Sequence, residues 1–232
     1  MISERSFASG FSSFWRGALP NLESVARALN SGWTRVDKPV ASLNQPNRRD
    51  VISETGFKLF GASLGQKVSS DSVLVAFADA VESLKLSPAG GERSIGPLTQ
   101  SEVDEVTVVA IRLRSFCAEN LDRSSLIFEP RFPGHGIIGE CKGDICDDNN
   151  LVEIKYVDRQ FRSIDYRQCL VYAALRYFSK NSTFSNMILF NPYLGTLTKV
   201  TVEELVQGAS GNAFVDFAAD LSYLLTSGEL SR

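Results

Sequence analysis

A strand hairpin followed by a long helix constrains this chain more than any other feature. Residues 151–157 read Leu-Val-Glu-Ile-Lys-Tyr-Val. The alternation places Leu151, Glu153 and Lys155 on one face of a strand and Val152, Ile154 and Tyr156 on the other. The preceding Asp147-Asp148-Asn149-Asn150 is turn chemistry, and residues 136–146, with Ile137-Ile138 between glycines, read as the partner strand. The pair should be antiparallel. Ile164, Val171, Leu175 and Phe178 recur at helical spacing and predict a helix from 164 to about 179, and residues 186–190 are again strand-like. A helix between two strands acts as a crossover, which favours a parallel partner for the later strand.

The flanking elements are consistent with that frame. Thr99 and Glu102 have the spacing of a capping box, and Val103, Val106, Ala110, Leu113 and Cys117 continue a helix of about five turns to near Asn120. A short strand is expected over 125–128 and another over 195–200. Thr201 and Glu204 form a second capping-box pattern, and residues 214–225 are amphipathic. The order helix, three strands, helix, two strands, helix predicts an α/β fold, a mixed β-sheet flanked by helices. The first hundred residues are broken by turn formers at 17–20, 44–47 and 88–97. Between the breaks, Asn21 should cap a helix over 22–29 bearing Leu22, Val25, Ala26 and Leu29 on one face. A second helix over 72–84 would present Val73, Phe77, Val81 and Leu84, and 89–94 reads as an exposed loop. Residues 1–98 are therefore expected to be a helical N-terminal region and 99–232 a second unit, within the size of one large domain or a core with an extension.

Composition excludes several functions. The 44% hydrophobic and 22% charged content is that of a soluble globular chain, and no run of about 18 apolar residues predicts a membrane span. The start, Met1-Ile2-Ser3-Glu4-Arg5, lacks the features of a signal peptide. The four cysteines, Cys117, Cys141, Cys146 and Cys169, form no CxxC pair, which argues against a disulfide framework and for a reducing, cytoplasmic setting. A net charge of −3 means that DNA could be gripped only through a local patch. No GxxxxGK[ST] is present, so nucleotide triphosphate hydrolysis is not expected. His135 is the single histidine and follows Pro133-Gly134, where a local hydrogen bond is the simpler reading. A zinc set of His135, Cys141 and Cys146 matches no usual spacing.

The chemistry concentrates in the hairpin. If the turn is tight, Asp144 lies across from Glu153 and Lys155. Two carboxylates and an ammonium at one spot make a place for a hard divalent cation, Mg²⁺ or Mn²⁺, and an activated water. Taken alone, Glu153 and Lys155 read as an ordinary exposed pair on a half-buried strand. Gln168 and Tyr172 follow four apart on the next helix. Lys142 shares its strand face with Asp144, and Arg159, Arg162, Arg167, Arg176 and Lys180 form a basic cluster that reads either as a solvated face or as phosphate contacts.

Asp144, the Glu153-x-Lys155 pair and Gln168-x-x-x-Tyr172 together resemble the PD-(D/E)XK nuclease superfamily, and the last pair resembles its RecB-like branch. The resemblance covers roughly 99–200 and implies a restriction-endonuclease-like core and Mg²⁺-dependent hydrolysis of DNA, with restriction or phage defence as the setting. It implies Asp144 and Glu153 as metal ligands and Lys155 as the group that orients or deprotonates water and stabilises charge at phosphorus. Gln168 and Tyr172 would position the site, and Lys142, Arg159, Arg162 and Arg167 would contact nucleic acid. Many members carry a further glutamate on the helix before the first strand. Glu102, Glu105, Glu119 and Glu129 are in range; the capping box accounts for Glu102, and Glu105 is taken as the further metal ligand. Gly143 stands where a proline is common. Cutting both strands of a duplex would call for a homodimer or a partner protein. Two other functions fit the same residues, a non-catalytic binding or assembly module on this fold and an RNA-directed nuclease.

Overall fold

A computed structural model describes residues 1–40, 48–64, 70–86 and 95–227. Among these, three N-terminal helices, α1 (Glu4–Gly10), α2 (Ser12–Ala18) and α3 (Leu22–Ser31), precede a short strand, β1 (Thr34–Arg35). Helices α4 (Arg49–Ser63), α5 (Ser70–Leu86) and α6 (Gln100–Asn120) follow. The strand region contains β2 (Ile127–Phe128), β3 (Arg131–Phe132), β4 (Cys141–Lys142), β5 (Ile145–Cys146) and β6 (Asn150–Ile154). Helix α7 (Ser163–Lys180) leads to β7 (Asn186–Asn191) and β8 (Thr196–Thr201), and α8 (Val202–Ser210) and α9 (Phe214–Ser227) complete the order.

The main sheet runs β1-β8-β7-β6-β5-β2. β6 and β7 are parallel, joined by α7, and the other pairs are antiparallel. The architecture is α/β, a mixed six-stranded sheet with helices on its faces, as the sequence pattern requires. Alternation sorts neighbouring residues into two apolar cores. Leu151, Met187 and Leu189 face one core with α7, α8, α9 and the aromatic residues Phe7 and Trp15. Val152, Ile188 and Phe190 face the other, against α4 and α6, where the Phe116 and Phe190 rings stack at 4.4 Å.

Local chemistry sets the helix ends. Thr99 and Glu102 form the anticipated capping box on α6, and Glu102 also pairs with Arg48, which ties the start of α4 to α6. Thr201 and Glu204 do the same for α8, and Gly211 at φ 80° ends it. Asp165 caps α7 by accepting from the Arg162 backbone N–H at 2.8 Å. Asn21 precedes α3, but its side chain makes no capping bond. Leu22 and Ala26 are buried as expected, with Val25 and Leu29 packed against the same core.

The structure departs from the sequence reading in three places. The single strand expected over 136–146 is divided. His135 and Ile138 close a tight turn, and the strand then changes partner at Gly143-Asp144, β4 pairing with β3 and β5 with β2 and β6. A side chain at 143 would press on the Phe132 ring at 3.0 Å, so glycine permits the bend. β3 had no signal, since two residues carry no periodicity. The N-terminal region is not wholly helical, because β1 adds to the sheet edge beside β8. The loop expected over 89–94 lies outside the described residues.

Candidate active site

Strand β6 positions the site. The β5–β6 register pairs Ile145 with Val152 and Cys146 with Leu151, and continuing it sets Asp144 opposite Glu153. Asp144 turns in at the bend, where its Oδ2 accepts the Ile154 backbone N–H at 2.6 Å and its carbonyl accepts the Glu129 N–H at 2.9 Å. Glu153 is fully buried, on the sheet face that α7 covers. Lys155 extends the ladder by donating its backbone N–H to Phe190 at 2.9 Å. Its Nζ donates to Glu153 Oε1 and to Gln168 Oε1, both at 2.8 Å.

From Gln168 the network continues inward. Gln168 Nε2 donates to the Tyr172 hydroxyl at 3.0 Å. That hydroxyl lies 3.1 Å from Glu4 Oε1 and 2.9 Å from the Lys142 carbonyl, two acceptors for its single proton. Burial, followed by the charges of Glu153, Glu4 and Asp144, raises the Tyr172 pKa well above the phenol range, so it stays protonated. Helix α1 thus brings Glu4 to the site, which no sequence signal marked.

The charges are strongly coupled. Burial, and then the neighbouring Glu153 carboxylate, push Asp144 up to about 8, against the Ile154 hydrogen bond and the Lys155 and Arg5 charges. Desolvation opposes the charge of Lys155, but the Glu153 charge and hydrogen bond outweigh it, and its pKa rises. Lys155 is an ammonium here, a donor rather than a base. Glu153 Oε2 is buried with no hydrogen-bond partner. A bare carboxylate oxygen in the interior is costly unless a cation or donor meets it.

That orphaned oxygen, beside a second carboxylate, fits a hard divalent ion held by Asp144 and Glu153. Among the described residues no group of three or more His, Cys, Asp or Glu side chains gathers as a metal site. Two carboxylates are nonetheless what Mg²⁺ commonly takes, with water and substrate phosphate completing its shell. Glu105 does not join them. Its carboxylate is hydrogen-bonded by the Tyr156 hydroxyl, and Tyr156 packs in the core on the opposite sheet face from Glu153. The reason is the strand alternation itself: α6 lies on the Val152 side and α7 on the Glu153 side.

The site opens on a cleft of about 970 Å³ whose wall includes Asp144, Lys155, Asp165 and Gln168. Arg159 and Arg162 line it. Arg159 is fixed by Asp165 at 2.8 and 3.2 Å, and Asp165 lies 4.0 Å from Lys155. Lys142 and Arg167 lie elsewhere. Lys142 faces Glu129 at 3.9 Å, and Arg167 sits over the Trp15 ring at 5.5 Å. Two cleft residues that the sequence reading missed are Arg5, from α1, and Arg49, from α4, which stacks on Tyr193 at 4.6 Å. They lie far from the hairpin in sequence, and only the fold brings them in. The His135 side chain makes a long-range contact instead of the local one expected, with Nε2 2.8 Å from Ser222 Oγ of α9. The four cysteines are buried and free.

No helix among the described residues is long and apolar enough to cross a membrane. No family model, curated protein or solved structure matches this chain.

Proposed function

We propose that this chain is a metal-dependent nuclease hydrolysing phosphodiester bonds of DNA on a restriction-endonuclease-like core. One observation carries the reading: a buried, half-unpartnered Glu153 carboxylate shares its site with Asp144 and Lys155, which line an arginine-bearing cleft. Asp144 and Glu153 would hold Mg²⁺ or Mn²⁺. A divalent ion there would acidify a bound water and offset phosphate charge.

The chain's own groups do the rest. Arg5, Arg49 and Arg162 hold backbone phosphates and set the register of the strand in the cleft. The Lys155 ammonium donates to a non-bridging phosphate oxygen as negative charge builds there, which favours the transition state over the ground state. Gln168, itself fixed by Tyr172, holds Lys155 in place. Water oxygen attacks phosphorus as the P–O bond to the leaving ester oxygen breaks; the proton lost by the water ends on that oxygen, and the products are a phosphate end and a hydroxyl end.

The test is cleavage of plasmid DNA by purified protein in Mg²⁺ or Mn²⁺, with RNA of matched sequence alongside. The wild type should cut DNA, and chelator, Glu153→Gln and Lys155→Ala should each abolish cutting while far-UV circular dichroism stays unchanged. Cutting that survives both substitutions removes the site assignment. Cutting that ignores chelator removes the metal.

A further inference from the structure

We propose that a smaller cavity beside the cleft receives one unpaired nucleobase of the bound strand. The proposal rests on reading the cleft as a nucleic-acid site. The cavity measures about 120 Å³, well below the ~300–1,000 Å³ of a drug-sized ligand site, and suits a single flat ring. Its lining includes the half-buried Trp33 indole and Phe161, with Arg35 stacked over Trp33 at 4.8 Å. Aromatic rings and arginine guanidinium planes are the surfaces on which bases of any sequence stack. Gln160, exposed at the rim, offers an amide donor and acceptor to a base edge.

Two features tie this cavity to the cleft. Arg159 lines both. Through Asp165 it is also linked to Lys155, so the chain Lys155, Asp165, Arg159 leads from the reacting phosphate to the pocket. The wall is rigid as well. Asn30 of α3 fixes the Phe161 backbone from both sides, donating to its carbonyl at 2.7 Å and accepting its N–H at 3.2 Å. A base held there must be unstacked from its neighbours, which selects single-stranded or frayed DNA over closed duplex.

The experiment uses the whole chain in chelator, with tryptophan fluorescence as the readout. Trp15 is wholly buried and serves as a constant background, so quenching reports on Trp33. A single-stranded oligothymidylate should quench the emission. Trp33→Ala should weaken its binding by about ten- to a hundredfold, the range for losing one base–aromatic stack. Binding of a blunt duplex and of an abasic strand of the same length should not change. Trp33 belongs to neither apolar core, and Trp33→Phe guards against a folding artefact by keeping affinity while losing the signal. Absence of quenching, or equal binding of oligothymidylate to wild type and Trp33→Ala, overturns the proposal. Metal-dependent cleavage is scored separately. Quenching without cleavage leaves the pocket standing and removes the nuclease, whereas duplex cleavage without quenching removes the pocket alone.

Discussion

Asp144→Asn should make the metal-free protein more stable, by an amount that grows as pH rises from about 4 to about 8. The Asp144 carboxyl moves from 3.8 to about 8 because burial and the Glu153 carboxylate disfavour its charge. Between those values the folded state binds more protons than the unfolded state, so stability falls as pH rises through that window. At about 1.4 kcal/mol per unit the full shift amounts to about 6 kcal/mol. Asp144 is only half-buried by its exposed area and opens on the cleft, where water screens part of this, so roughly 3 kcal/mol should remain. Asparagine keeps an oxygen for the Ile154 N–H but never carries the charge. For a chain of this size that is a rise of roughly 6–12 °C in Tm at pH 8, shrinking to nothing near pH 4. Thermal melts in chelator across that range measure it. Added Mn²⁺ should then stabilise the wild type and not the variant. A gap that is the same at both ends of the range, or a variant less stable at pH 8, would refute the electrostatic reasoning.

Glu105→Gln should leave Mn²⁺ affinity by calorimetry unchanged within about twofold, because Glu105 serves Tyr156 on the far side of the sheet. Phe190→Ala removes the stack on Phe116 and should cost about 3–5 kcal/mol in urea unfolding. Gly195→Ala should destabilise by at least about 1–2 kcal/mol from its φ of 65° alone. Its methyl would also meet the Asp37 carbonyl at 2.3 Å and loosen β1, so hydrogen exchange should rise at Val36 and Asp37, whose N–H groups bond Gly195 O.

Much of the site was legible because it lies within two adjacent elements. Strand alternation put Glu153 beside Lys155, the Asp147–Asn150 turn brought Asp144 across, and helical spacing put Gln168 one turn before Tyr172. The reading went astray where a choice between faces was needed. Glu105 is on a well-marked helix, but the sequence of α6 cannot tell which side of the sheet that helix covers.

The chain's own order of residues determined its periods, its caps and the pairing of near neighbours, since each depends on side chains a few positions apart. Tertiary packing alone decided the bend at Gly143, the addition of β1 to the sheet edge, and the arrival of Glu4, Arg5 and Arg49 at the cleft. The β1 edge and the three cleft side chains join segments far apart in the chain. They are fixed by which apolar faces bury each other, and no local pattern along the chain records that.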